Sequence, residues 1–317
     1  MWQSMNQGVD FRPVPLPFTA AEAEQRGITA YALTNRQRFR QIFRGIWVDI
    51  ESQTDVPTPH WADHRWLETW MRMTGIRMLY PDLAADHLTA ARLYGLPLPN
   101  RISDKCIHVA TASRDLRINR PGLVVHRPMT LATEWIELLR LPLVTIARVI
   151  ATLAPLISLN ELVTVGDAAI GRQAAGPYIT RDQLRDEIAA LPRVTHRRRV
   201  RKALTLMRET VDSPKESWLR LWLIDHGFPE PVVHPAVYSR IEDCVLHPDL
   251  GYPQLRIAIE YEGDQHRTSP DQYAQDIRRR ELFEAEGWVL LRVAKKSDLA
   301  SFAKRLRHYI AKRSPSH

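Results

Sequence analysis

The sequence predicts an α+β N-terminal region, opening on a winged helix-turn-helix, followed by an α/β C-terminal domain. Three observations carry that expectation. Residues 18–58 run helix, glycine turn, helix and then a β-branched, aromatic hairpin, the order of a winged helix-turn-helix. Residues 213–310 run helix, apolar strands, charged helix, strand and helix, the rhythm of an α/β layer. Between them, residues 191–202 hold six Lys/Arg and no acid, and Asp212-Ser213-Pro214 then breaks the chain. The predicted organisation is a flexible lead-in (1–17), a winged-helix-like domain (18–58), a middle α+β domain (59–190), a basic linker helix (191–212) and a C-terminal domain (213–317).

Each element has its own signal. Pro13, Pro15 and Pro17 keep the lead-in extended. Thr19 with Glu22 three residues on has capping-box spacing, and Gly27 ends the helix that follows. A second short helix is expected near 31–36, then a hairpin turning at Gly45. Residues 60–80 read as helix up to Gly75, and 82–93 as another helix stopped by Gly95 and Pro97. Short strands are expected at 107–110 and 123–126, with helices at 163–170 and 182–190. A basic helix is expected to begin in 193–202 and run to Thr210. In the C-terminal domain, Ser213-Pro214-Lys215-Glu216 combines a Ser N-cap, Pro at N1 and Glu at N3, and the helix stops at Gly227. Strands are expected at 232–237, near Asp249 and at 255–262, then a helix at 270–286, a strand at 288–293 and a last helix at 299–310.

Composition narrows the function. At 317 residues the chain suggests two or three domains; 44% apolar residues suffice for real cores. The net charge of +8 is uneven: residues 288–317 hold eight Lys/Arg against Asp298 alone. Basic charge gathered in two segments is the footprint of a polyanion partner such as nucleic acid, or else of a solvated surface. Cys106 and Cys244 make neither a zinc spacing nor a disulfide framework. No apolar run is long enough to span a bilayer, and the first residues lack a signal-peptide layout, so a cytoplasmic protein without a membrane partner is expected. There is no Walker loop, GxGxxG or GxSxG motif.

The informative run is Leu255-Arg256-Ile257-Ala258-Ile259-Glu260-Tyr261-Glu262, which ends in two carboxylates two residues apart. Strand side chains alternate, so Glu260 and Glu262 share a face. Asp249 lies upstream on the expected partner strand, and His266 follows within six residues of Glu260. Carboxylates at one strand end repel unless a cation lies between them, and Mg²⁺ is commonly held by one or two carboxylates plus phosphate oxygens. His266 has the ionisation range for proton transfer. Blander readings stand beside these. Glu216 is also the capping-box partner of Ser213, Asp264 is a turn residue, and Asp276 pairs with Arg279 or Arg280 on a helix surface. His60 and His64, four apart around Asp63, lack the glutamate of a zinc-protease helix.

Residues 213–310 resemble the endonuclease-like domain related to very-short-patch-repair enzymes, a PD-(D/E)XK restriction-endonuclease-like fold. The matching pieces are Pro214-Lys215-Glu216-Ser217-Trp218, Asp249-Leu250, Ile259-Glu260-Tyr261-Glu262-Gly263-Asp264-Gln265-His266, Asp276-Ile277-Arg278-Arg279 and Glu286-Gly287-Trp288. The resemblance implies Asp249 and Glu260 as ligands of Mg²⁺ or Mn²⁺, Glu216 as the first-helix acid, and Asp276 in the helix behind the site. Glu262 stands where the wider superfamily often has lysine, so transition-state charge falls to the metal, His266 or an arginine. Residues 18–190 are similar to AbiEi-type antitoxins, through Gly27-Ile28-Thr29, Arg38-Phe39-Arg40, Arg44-Gly45-Ile46-Trp47-Val48-Asp49, Thr89-Ala90-Ala91-Arg92-Leu93-Tyr94-Gly95 and Val165-Gly166-Asp167-Ala168. That resemblance implies duplex DNA binding through Arg36, Arg38, Arg40 and Arg44, and a cognate toxin as partner. Arg197, Arg198, Arg199, Lys304 and Arg305 are the further candidate DNA contacts. The expected function is metal-dependent phosphodiester hydrolysis, the alternative a non-catalytic DNA-binding repressor on a degenerate nuclease fold.

Overall fold

A computed structural model describes residues 9–102, 105–127, 135–173, 176–262 and 270–314. The chain divides into two compact units, Met1–Glu209 and Thr210–His317.

The first unit opens on β1 (Val9–Thr19), α1 (Ala20–Gln25), a 3₁₀ turn at Ala32–Thr34, β2 (Phe39–Phe43) and β3 (Ile46–Pro59). The strands form an antiparallel sheet in the order β1-β3-β2. Residues 9–17 are therefore not a loose lead-in but part of an edge strand. Pro13 and Pro15, two apart, place both missing N–H groups on one edge of β1, and the register with β3 shifts between Pro15 and Pro17. The Thr19–Glu22 capping box forms, and Gly27 has φ 72°. The second helix shrinks to a 3₁₀ turn because side chains take over its backbone bonds. Thr29 Oγ1 accepts from Ala32 N–H at 3.1 Å and Asn35 Oδ1 from Gln37 N–H at 3.1 Å. The result is an α+β opening that is winged-helix-like in general terms.

Next come α2 (His64–Leu79), β4 (Ala84–Ala85), α3 (His87–Leu93), β5 (Ile107–Ala110), β6 (Leu123–His126), β7 (Trp135–Leu138) and β8 (Leu141–Val144). They are followed by α4 (Ile146–Leu153), α5 (Leu159–Ile170), α6 (Arg181–Ala190) and α7 (Arg197–Leu206). The second sheet runs β6-β5-β4-β8-β7. Gly75 does not end α2. A Cβ there would meet Ile42 Cδ1 at 2.8 Å, so the glycine lets the helix lie close on the first sheet. The expected helix at 82–93 begins only at His87, because Asp86 Oδ1 accepts the first free N–H and caps it. The basic segment is no free linker. Val200 and Ala203 of α7 are fully buried, and a Cβ on Gly166 of α5 would strike the Met207 side chain.

The second unit contains α8 (Pro214–Asp225), β9 (Val232–Val233), β10 (Val237–Ser239), β11 (Cys244–Leu246), β12 (Leu250–Tyr252), β13 (Ile257–Glu262), α9 (Pro270–Ala285), β14 (Val289–Ala294) and α10 (Leu299–Arg313). The expected strand at 232–237 is split, since β9 joins the main sheet and β10 pairs with β11. The main sheet runs β14-β13-β12-β9, with β13 and β14 parallel and β12 antiparallel to β13. Period two sorts β13 between two cores. Ile257 and Ile259 pack with Leu219, Leu223, Phe302 and Leu306 of α8 and α10. Ala258 packs with Leu282 and Phe283 of α9. Glu260 and Glu262 continue the Ala258 face toward α9, and Tyr261 continues the other toward α8. An N-terminal α+β region and a C-terminal α/β region with a mixed sheet are thus present. No helix among the described residues is long and apolar enough to cross a membrane.

Candidate metal centre

Glu216, His234 and Asp249 each offer one ligand atom, and these atoms all lie within 4.8 Å of one another. They form the one three-residue group of this kind among the described residues. Glu216 arrives on the first turn of α8, held by half a capping box: its N–H donates to Ser213 Oγ at 3.2 Å. Its carboxylate takes a bond from the Ser213 side chain without closing a full capping box. Glu216 Oε2 accepts from Asp212 N–H at 3.0 Å and lies 3.0 Å from His234 Nε2. His234 sits in left-handed backbone (φ 46°) and donates its N–H to Asp249 O at 3.1 Å, which ties the two residues together. Asp249 precedes β12, and its Oδ2 accepts from Tyr261 N–H at 2.7 Å.

The three groups are electrically unequal. The Glu216 bond, against burial, holds the His234 imidazole above its ordinary value, with Asp212 and Asp249 adding to it. Glu216 is 7% exposed, and burial alone would raise it; bonds from His234, Ser213 and Asp212 outweigh that and hold it below the usual carboxylate range. Asp249 is pushed up to about 6, first by burial and then by Glu216 and Glu260, against the Tyr261 bond and His234. An acid raised by burial and by like charges is the one a cation would relieve. As a donor set, two carboxylates and one imidazole suit Mn²⁺; Mg²⁺, which prefers oxygen, would draw mainly on Glu216 and Asp249.

The two glutamates of β13 do share a face, but arginines occupy it. Glu260 Oε1 accepts from Arg279 Nε at 2.7 Å, and Glu260 Oε2 lies 3.7 Å from Arg292 Nε. Glu262 Oε1 accepts from Arg292 Nη1 at 3.0 Å. Arg292 is the parallel neighbour of Glu260 on β14, and its Nη2 also reaches Asp276 O at 3.3 Å. Asp276 is therefore not paired along α9 with Arg279 or Arg280: Arg279 turns inward to Glu260 and to His247 O at 2.8 Å. Of the residues expected at the site, Asp249 and Glu216 are brought together, and Glu260 stands near enough to raise Asp249. Glu260 and Glu262 are held by cations instead. His266 and Asp264 lie outside the described residues. His234, Arg279 and Arg292 escape the sequence reading of the site. His234 had one signal, a histidine between a β-branched pair and Pro235, at a strand end close to the acids.

The candidate nucleic-acid contacts differ in how free they are. Arg38 is clamped on Asp49 (Nη2 to Oδ2, 2.9 Å) and Arg40 on Glu68 (2.8 Å). Arg36 and Arg44 are exposed, and neither has an acidic partner among the described residues. Arg199 donates to Ala154 O and Ile157 O beyond the end of α4, at 2.8 and 3.1 Å, while Arg197 approaches Leu191 O at 3.5 Å. Arg198, Lys304 and Arg305 are exposed. Asp63 caps α2 by accepting from Trp66 N–H at 2.7 Å, and His60 and His64 join no three-residue ligand group among the described residues.

No protein-family model, curated protein or solved structure matches the chain.

Proposed function

We propose that the chain acts on DNA, and that its second unit hydrolyses phosphodiester bonds with a divalent ion held by Glu216, His234 and Asp249. The observation that carries this reading is the convergence of those three ligand atoms within 4.8 Å around an acid raised to about 6. The resemblance of 213–310 to PD-(D/E)XK endonuclease-like domains supports it, with His234 in place of Glu260 as third ligand. When bound, such an ion supplies Lewis acidity toward a phosphoryl oxygen. The chain's own residues do the rest. The proton that Glu216 holds on His234 must leave before the imidazole can serve as a ligand. Arg279, a third exposed, and Lys215, over the Tyr261 ring at 5.7 Å, bring positive charge to the site edge for substrate phosphates. Trp218, edge-on to Tyr261 at 6.2 Å, offers an aromatic wall beside them. In the first unit, Arg36, Arg44 and Arg198 are exposed arginines left to meet a duplex. A cognate toxin as partner belongs to the same reading.

A second reading has its own observation. Glu260 and Glu262, where the nuclease pattern wants a ligand and a cation, are neutralised by Arg279 and Arg292. That favours a DNA-binding repressor whose nuclease fold no longer cuts. Nicking of supercoiled plasmid with Mg²⁺ or Mn²⁺ separates the two. Outer-shell changes at metal sites cost about 10–100-fold, so Glu216→Ala and Asp249→Ala should each lose at least about a hundredfold. Glu260→Ala should lose less. A protein that binds Mn²⁺ yet nicks nothing would leave the repressor reading, and a Glu260→Ala variant as dead as Asp249→Ala would restore the ligand pair the resemblance implies.

A further inference from the structure

A second charged concavity lies within the first unit and uses none of the residues of the candidate metal centre. It is a cavity of about 270 Å³ lined by His87 at the start of α3, Arg127 just after β6, Arg148 of α4 and Arg193 between α6 and α7. Pro155 and Leu191 supply an apolar side. Among the described lining residues there is no carboxylate. Asp86, next to His87 in the chain, is fully buried and accepts from Arg148 Nη2 at 3.1 Å. Arg127 donates to a backbone carbonyl, Leu116 O, at 2.6 Å, and Arg193 has no acidic partner among the described residues.

Three guanidiniums against one carboxylate leave two positive charges around a small hollow. Like charges converging from three separate segments repel, unless an anion completes the set. The floor is also fixed rather than loose. His87 takes left-handed backbone (φ 48°) and stacks on His126 with ring centroids 3.7 Å apart. His126 Nε2 in turn lies 3.0 Å from His108 Nδ1. Burial lowers both His108 and His126, the latter to about 4, so these inner rings are neutral at neutral pH. They support His87 without adding charge. Arg148 Nε is buried with no hydrogen-bond partner among the described residues.

We infer that this pocket binds the dianionic phosphate of a phosphate monoester. A monoester carries about −1.5 to −2 charges at neutral pH and three acceptor oxygens, matching the excess charge and the guanidinium donors. The volume lies below the roughly 300–1,000 Å³ of ordinary ligand clefts, so the site encloses the phosphate and little beyond it. Two sources carry that group: a small phosphorylated metabolite, and the 5′-phosphate end of a nucleic acid.

The test is calorimetric titration of the full chain with inorganic phosphate, at constant ionic strength and with a chelator present. One-to-one binding is expected, weakened about tenfold by each of Arg127→Gln and Arg193→Gln, about 1.4 kcal/mol apiece. Both arginines are exposed, so the variants should fold, and circular dichroism checks this. Arg148→Gln is avoided because it strips buried Asp86 of its partner. Competition by a 5′-phosphorylated oligonucleotide assigns the group to a nucleic-acid end; competition by a sugar phosphate alone assigns it to a metabolite. No binding of phosphate overturns the inference. So does unchanged affinity in the double variant, or equal competition by the 5′-hydroxyl oligonucleotide.

Discussion

Each unit places an aspartate beside a histidine in left-handed backbone, Asp86 with His87 in the first and Asp249 with His234 in the second. Asp86 is fully buried yet held down at about 2, because His87 and Arg148 outweigh the cost of burial. Asp249 is less buried but pushed up to about 6, first by burial and then by Glu216 and Glu260, with only the Tyr261 N–H and the charge of His234 acting against them. Similar ingredients give opposite results, so burial alone does not decide the charge state of an acid; its partners do. A carboxylate already satisfied by cations is part of the scaffold. One surrounded by other acids is poised to take an ion.

The largest effect should come from breaking the satisfied cluster. Asp86→Asn leaves Arg148 without its buried partner and should cost about 3–5 kcal/mol of unfolding free energy, measured by urea denaturation. Asp249→Asn should act in the opposite sense. For an acid whose folded value is raised from 3.8 to about 6, the folded state binds the proton more tightly. The metal-free protein therefore loses stability as pH rises from about 4 through about 6, and the penalty is complete above that. Asp249→Asn should remove the pH dependence and raise metal-free stability near pH 8 by about 1–3 kcal/mol. If both variants destabilise equally at pH 8, the contrast between the clusters fails. The smallest effect concerns the N-terminal arginines. Arg38→Gln breaks a pair between an exposed guanidinium and the buried Asp49 carboxylate and should change stability least of the three, read by the same urea denaturation. It should leave DNA affinity nearly unaltered in a mobility shift, whereas Arg36→Gln should weaken it and flatten the salt dependence.

How much of this was legible in the sequence depends on range. The Thr19–Glu22 box, the Ser213 N-cap with Pro214, the strands Ile107–Ala110 and Leu123–His126 and the shared face of Glu260 and Glu262 are set by neighbours a few residues away. What failed needed distant partners. The prolines of β1 read as a loose lead-in because nothing local shows that their missing N–H groups lie on a free edge. Gly75 read as a stop because the residue it accommodates, Ile42, lies in another element. The arginines that occupy Glu260 and Glu262 come from α9 and β14, 19 and 30 residues on. His234 joins Glu216 only across the fold, from 18 residues away.

The most direct test is calorimetric titration of the chelator-stripped protein with Mn²⁺ at pH 8. Specific binding is predicted, abolished by Glu216→Ala and by Asp249→Ala, weakened by His234→Ala and kept by Glu260→Ala. Absence of binding to the wild-type chain, or the same affinity in Glu216→Ala and Asp249→Ala, would contradict an ion site at these three residues.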